Sequence, residues 1–282
     1  MSHNGRVGNT VTINGRVPEV FPVRAGERIR LRLVNVANAR IFALDFAGHR
    51  PQVIAYDGQP VAPHEPEGGR VMLGPAMRAD LILDMTGKPG ERFTVTDTFY
   101  RGLEYRFVDL VYGAAPLRDR PLEAPVALPA NTMPEPDMTS AERHEVTFNG
   151  GMMMGGGGRG MGGMMGMMGM MRGDKLWSIN GVSLTGHEMP PFLNLVRGRT
   201  CVLALNNETA WHHPMHLHGH SFRVVSRDGQ PTRYREWQDT VLVSPRERVE
   251  IAFVADNPGN WMFHCHVLEH QASGLMGVIR VA

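Results

Sequence analysis

Residues 263–276 read FHCHVLEHQASGLM and set three histidines, His264, His266 and His270, around Cys265, one of only two cysteines in 282 residues. Upstream, residues 213–220 read HPMHLHGH and add His213, His216, His218 and His220. Imidazole and thiolate are metal ligands, so the question is how a chain could aim them. In a β-strand successive side chains face opposite sides, which puts His264 and His266 on one face and Cys265 on the other. His216 and His218 share a face in the same way, roughly 7 Å apart along a strand that rises ~3.3 Å per residue. His213 stands before Pro214 at the start of its stretch and can turn toward the cysteine side.

Two histidines and one cysteine, with a weak or absent axial ligand, form the donor set of a blue-copper electron-transfer centre, and Cys265, His270 and His213 supply that set. A catalytic zinc site of the Cys-His₂ type uses the same donors. The paired His-x-His arrangement behind the cysteine favours copper, because a single-zinc enzyme has no use for it. His3, His49, His64, His144 and His187 read as ordinary surface or core residues. His212 and His220 flank the motif without the right register and read as non-ligands.

The elements that must position these groups are strands. Short alternating or β-branched runs such as TVTIN (10–14), RIRLRLVNV (28–36), DLILDM (80–85), FRVVS (222–226) and RVEIAFV (248–254) are separated by Gly, Pro, Asn and Asp clusters. No helical period persists over three turns, so the chain reads as all-β. It also repeats itself. INGR (13–16), VRAGERIRLRLVN (23–35) and FALDFAGH (42–49) are answered by INGV (179–182), VRGRTCVLALNN (196–207) and HPMHLHGH (213–220). Aligned on Gly48 and Gly219, the first copy has Phe42, Asp45 and Ala47 where the second has His213, His216 and His218. The first copy is therefore expected to be a copper-free domain over residues 1–118 and the second a metal-binding domain over 143–282. A proline-rich linker, 119–142, joins them.

Composition narrows the partners. Lys+Arg 29 against Asp+Glu 28 leaves a net charge of +1, which gives no electrostatic case for nucleic acid or anionic lipid. No run of 18 apolar residues exists to span a membrane, and MSHNGRVGNT carries no signal-peptide pattern. The chain's localisation is unreadable. Cys201, in the strand-like TCVLALNN, reads as a small buried residue and not as a disulfide partner for Cys265.

HPMHLHGHSF and WMFHCHVLEHQASGLM resemble the two C-terminal copper motifs of the multicopper oxidases, the laccase-like family built from three cupredoxin domains. GNTVTINGR and GHRPQVIAYDGQP resemble that family's copper-free middle domain. The resemblance covers nearly the whole chain and implies two cupredoxin-like Greek-key β-sandwiches. It implies that His213, Cys265 and His270 bind a type 1 copper that oxidises substrate, that His216 serves a type 2 copper, and that His218, His264 and His266 serve a type 3 pair where dioxygen is reduced. Full-length relatives are often exported.

The same resemblance marks departures. The family's three-copper cluster takes eight histidines, and outside 216–220 and 264–266 this sequence has no further His-x-His. An N-terminal cupredoxin domain is expected to be absent, with MSHNGR lying just after its place. Gln271 stands where relatives often have a proton-relaying carboxylate. At the axial position, ten residues after the cysteine, stands Leu275, with Met276 next to it; a leucine there leaves copper three-coordinate.

GGMMMGGGGRGMGGMMGMMGMMRG, residues 150–173, holds ten of the chain's twenty methionines and reads as a flexible insertion. Its thioethers suit Cu(I), although a low-complexity loop with no ligand fits the composition too. Three functional expectations follow. One is an oxidase of small reductants (phenols, metal ions or Cu(I)) whose cluster is completed by a separate cupredoxin domain or by a homo-oligomer. Another is a non-enzymatic copper protein for electron transfer or copper handling. The third is a piece of a longer oxidase. Substrate is expected to reach the type 1 copper through an exposed imidazole edge.

Overall fold

A computed structural model describes residues 3–118, 122–123, 127–151, 176–186 and 189–282. The methionine segment from 152 onward, His187 and part of the proline-rich linker lie outside the described residues. The chain divides into two units, Val7–Asn131 and a second made of Met1–Arg6 with Thr132–Ala282. The residues up to Arg6, expected with the copper-free domain, group with the second unit instead. The reason is physical: His3 and Arg6 bond to residues 269 and 270 of that unit.

The first unit contains β1 (Val20–Val23), β2 (Arg28–Val34), β3 (Phe42–Phe46), β4 (Gln52–Tyr56), β5 (Gln59–His64), β6 (Arg70–Leu73), β7 (Arg78–Asp84), β8 (Arg92–Asp97) and β9 (Tyr105–Tyr112). They form two sheets, β1-β9-β8-β3-β6 and β2-β7-β4-β5. The second unit contains β10 (Glu142–Gly150), β11 (Trp177–Ile179), β12 (Pro191–Leu195), β13 (Thr200–Asn207), β14 (His213–Leu217), β15 (Phe222–Arg227) and β16 (Gln230–Pro231). It continues with β17 (Trp237–Gln238), β18 (Thr240–Val243), β19 (Arg248–Val254), β20 (Gly259–Cys265), the short helix α1 (Leu268–Ala272) and β21 (Met276–Val281). Its sheets run β12-β21-β20-β14-β18 and β11-β10-β13-β19-β15-β16. The protein is all-β with the cupredoxin sandwich expected from the sequence. Among the described residues no helix is long and apolar enough to cross a membrane.

The internal repeat is a repeat of topology. β1 pairs in parallel with β9 as β12 does with β21, and β3 lies between β8 and β6 as β14 lies between β20 and β18. The INGR and INGV segments close the same tight turn. Asn14 and Gly15 have φ of 52° and 79°, Asn180 and Gly181 have 50° and 75°, and each pair is bracketed by a bridge, Ile13 to Arg16 and Ile179 to Val182. Two successive left-handed residues are what an Asn-Gly hairpin turn needs. Asn35 and Asn207 are matched too: each buried amide donates through Nδ2 to carbonyls of the loop and strand that follow, and each Oδ1 accepts an N–H two residues on.

The core of the second unit lies between its sheets, where Phe148, Phe222, Phe253, Phe263, Leu203, Leu205 and Met215 are completely buried. β13 carries Cys201 among these apolar residues; both cysteines are buried and free. The turn after the His-x-His of β14 depends on one glycine. Gly219 has φ of 73°, and a Cβ there would lie 2.3 Å from the Trp261 ring. The first unit repeats the device, with Gly48 against Phe93 at 2.6 Å. Replacing Gly219 with alanine forces both a left-handed alanine and a shift of Trp261. Gly219→Ala is expected to lose more than about 1 kcal/mol of unfolding free energy, measured by urea denaturation, and to disturb the adjacent His218. An unchanged denaturation midpoint would contradict this account of the turn.

Candidate metal centre

β20 enters the sheet between β14 and β21, and its register fixes what each face carries. Met215 is opposite Cys265, while His216 is opposite His264, which is in turn opposite Met276 on β21. His216 is also opposite Thr240 on β18. One face therefore bears the row Thr240, His216, His264 and Met276, and Met215 and Cys265 belong to the other. His213 lies two residues before Met215 on β14, so plain alternation brings it to the cysteine face and no special turn at Pro214 is required. Met276 goes to the opposite face from Cys265. Leu275 is completely buried, and its backbone joins two of the candidate ligands: Cys265 N–H donates to its carbonyl, and its own N–H donates to the carbonyl of His270.

On the cysteine face, His213, Cys265 and His270 converge with their donor atoms within 4.8 Å of one another. Cys265 Sγ is 3.6 Å from Nδ1 of His213 and 3.6 Å from Nδ1 of His270, and the two Nδ1 atoms are 3.1 Å apart. A triangle with those sides has its centre about 2.0 Å from every corner, the length of a metal–imidazole bond and within about 0.3 Å of a metal–thiolate bond. Trp177 packs on both imidazoles, 4.3 Å from the His270 ring and 5.0 Å from that of His213.

Hydrogen bonds at the far side of each ring decide which nitrogen is free. The carbonyl of His3 can only accept, so His270 carries its proton on Nε2, which donates to that carbonyl at 2.8 Å. Asn207 Nδ2 donates to the carbonyls of Trp211, Val243 and Ser244, so its Oδ1 is the end that meets Thr209. Thr209 Oγ1–H then donates to that Oδ1 at 2.7 Å, and His213 Nε2–H donates to Thr209 Oγ1 at 2.8 Å. Both Nδ1 atoms are left with bare lone pairs aimed at each other and at Sγ. The single thiol proton of Cys265 can satisfy only one of these two buried lone pairs, 3.1 Å apart, so the residues fit a soft metal ion that would take both.

The electrostatics agree. Burial pushes the Cys265 thiol well above its ordinary range, with the Val267 N–H a lesser, opposing influence. Burial also lowers His270 to about 4 and holds His213 well below the ordinary imidazole value, with His270 adding to the effect on His213. The imidazoles are thus neutral and ready to donate, and the thiol gives up its proton when a cation arrives.

On the other face, His216, His218, His264 and His266 gather. The ring centroids of His216 and His218 are 4.7 Å apart, closer than the spacing along an extended strand, because His218 lies just past the end of β14 and swings inward. His218 Nε2 is 3.0 Å from His264 Nε2, and the His266 ring stands 5.4 Å from His264 and 5.9 Å from His216. His216 Nδ1–H donates to the carbonyl of Asp239, and His264 Nδ1–H donates to the carbonyl of Cys265 at 3.0 Å, leaving Nε2 of each without that proton. The two clusters are joined by the Cys265–His264 peptide and this hydrogen bond.

Two expectations change. Neither imidazole near Cys265 has an exposed edge: His213 is 0% and His270 1% exposed, the latter closed off by His3. His3, read as ordinary, touches the centre through its main chain. Thr209 and Asn207 were not legible as site residues, although the recurrence of Asn35 at the matching position of the first copy was a usable signal. There Ala37 replaces Thr209, and the copy has neither the hydroxyl nor the histidine. His212 and His220 stay out of both clusters.

Two family models, both described as multicopper oxidase, match residues 2–121 and 164–282. The chain is 30% identical to the multicopper oxidase MmcO of Mycobacterium tuberculosis over 93% of its own length and 49% of that protein. It is also 30% identical to a laccase of Haloferax volcanii, over 96% of its length and 46% of that protein. A solved multicopper oxidase from Pseudomonas thermotolerans superposes with a TM-score of 0.79 at 30% identity, covering 98% of this chain and 60% of that one. The chain spans about half the length of the curated relatives it matches.

The buried histidines carry a pH dependence. His264 and His270 are both lowered by burial from 6.5 to about 4. Between those values the unfolded chain binds protons that the folded chain does not, so folding stability rises with pH across that window and is lost as pH falls through it. The metal-free protein is expected to lose thermal stability steadily from pH 6.5 to 4, read by calorimetry. A flat profile over that range would contradict the burial of these rings.

Proposed function

Because the chain belongs to the multicopper oxidase family, we propose that it carries the substrate-oxidising half of such an oxidase: a type 1 copper site and four of the histidines that serve oxygen reduction. The observation that carries this reading is the triangle of two bare Nδ1 atoms and one thiol, backed across a single peptide by a four-imidazole cluster. His213, Cys265 and His270 would hold a type 1 copper, and the buried Leu275, whose backbone bonds to Cys265 and His270, would offer it only hydrocarbon. His216 serves the type 2 copper, and His218, His264 and His266 serve the type 3 pair. Bound copper supplies a one-electron acceptor that takes electrons from substrate singly.

The residues explain what the protein adds. Thr209 and the His3 carbonyl fix the rings so that Nδ1 faces the site, which holds donor geometry rigid through a change of charge. Trp177, Phe148 and Leu275 keep water out. Cys265 would link a bound copper to the other face, through its own peptide and through the bond from His264 Nδ1–H to its carbonyl. Substrates are small reductants, phenols or metal ions, with O₂ as final acceptor in the complete enzyme. A solved relative from Ochrobactrum, 26% identical, is described as having oxidase activity toward lignin model compounds, which supports a phenolic class. The remaining cluster ligands come from another cupredoxin domain or another chain.

Cys265→Ser is expected to abolish the intense thiolate-to-copper band that wild-type protein develops with Cu(II); a surviving band would place the thiolate elsewhere. The copper-loaded 282-residue chain alone is expected to consume O₂ far below the roughly 1–10³ s⁻¹ of ordinary enzymes, because four histidines leave the oxygen cluster's coordination open. Turnover within that range in an oxygen-electrode assay would show that chains complete the cluster for one another.

A further inference from the structure

One segment makes three contacts at and beside the outer edge of His270. The His3 carbonyl accepts from His270 Nε2–H at 2.8 Å. The His3 ring lies 5.1 Å from that of Trp211, which stands edge-on to Trp177 in the wall of the site. Arg6 Nε donates to Glu269 Oε1 at 2.6 Å. Gly5, buried and with φ of 70°, turns the chain between these contacts. The segment therefore touches two consecutive residues of α1, Glu269 and His270, and the aromatic wall beside them.

We propose that His3–Arg6 is a latched strap with two roles. Its carbonyl is a positioning group that keeps the His270 proton on Nε2 and so leaves Nδ1 for the metal. Its body seals the imidazole edge by which a reductant reaches the site. This rests on the reading of His270 as a copper ligand. Cys265 and His213 are held by the sheet, but His270 is on a five-residue helix and needs an outside partner to fix its ring.

The latch is built to open. Arg6 is 77% exposed and its partner carboxylate 22%, and an ion pair so placed is weak and screened by salt. The closed position is also incompletely satisfied, because His3 Nδ1 and Glu269 Oε2 are buried without partners. Opening the strap bares His270 Nε2 and leaves the β-strand ligands in place. The strap thus trades access for protection: closed, it shields the site from adventitious reductants, and open, it admits substrate to the ring edge.

Diethyl pyrocarbonate, which acylates accessible imidazoles, tests the strap in the metal-free chain, with labelling at each histidine followed by peptide mass spectrometry. His270 is expected to label slowly in the wild type and roughly threefold or more faster in Arg6→Glu, the scale of losing a weak ion pair and adding repulsion. The charge swap Arg6→Glu with Glu269→Arg is expected to restore protection, with His264 labelling alike in all three proteins. Equal His270 rates, or an acceleration that the swap does not reverse, would overturn the strap. In the copper-loaded protein, hydroquinone is expected to bleach the blue band faster in Arg6→Glu than in wild type with the band position unchanged; identical bleaching would overturn the sealing role. A wild-type chain that takes up copper with no blue band defeats the copper reading instead, and the labelling result still decides the strap.

Discussion

The two-residue alternation of β20 is the constraint on which the site depends. A strand flanked on both sides by hydrogen-bonded neighbours cannot slip by one residue without turning every side chain to the wrong face. β20 is locked in that way between β14 and β21. Its lock puts Cys265 into one cluster and His264 into another, with a single peptide bond between them. No loop could hold the two sites so close and so reproducibly apart. The same register sends Met276 to the His264 face, away from Cys265.

Within this frame the chemistry is set by desolvation and by hydrogen bonds behind the rings. Burial makes a bare thiolate or an imidazolium costly, so the metal-free centre keeps a protonated thiol and neutral imidazoles. The chain from Asn207 through Thr209 to His213, and the His3 carbonyl behind His270, then direct both lone pairs inward. Neither device contributes a ligand, yet without them each ring could turn its proton toward the site and close it. The first copy of the fold shows the reduced version: the same Asn35 cap and the same glycine–aromatic contact at Gly48 and Phe93, with no hydroxyl and no histidine to aim.

Much of this was legible in the sequence because period-two alternation maps directly onto sheet faces. FHCHVLEH and HPMHLHGH announced the donor set, and INGR with INGV announced the duplication. What stayed hidden were contacts that carry no residue signature. A main-chain carbonyl has the same chemistry at every position, so nothing marks His3 as the partner of a ring 267 residues away. The expectation of an exposed imidazole edge failed for that reason, and so did the placing of the first six residues with the copper-free domain. Thr209 was hidden because a lone threonine in a loop is unremarkable until its neighbour Asn207 is seen to dictate where its hydroxyl proton goes.

The central claim is that one copper is held by Nδ1 of His213, Nδ1 of His270 and Sγ of Cys265 with no thioether bound. X-ray absorption at the copper edge on protein loaded with one equivalent of Cu(II) tests it most directly. The account predicts one sulfur scatterer near the metal–thiolate distance of about 2.3 Å and two nitrogens at about 2.0 Å, with no second sulfur. A first shell of nitrogen and oxygen alone, placing the copper among His216, His218, His264 and His266, would contradict it.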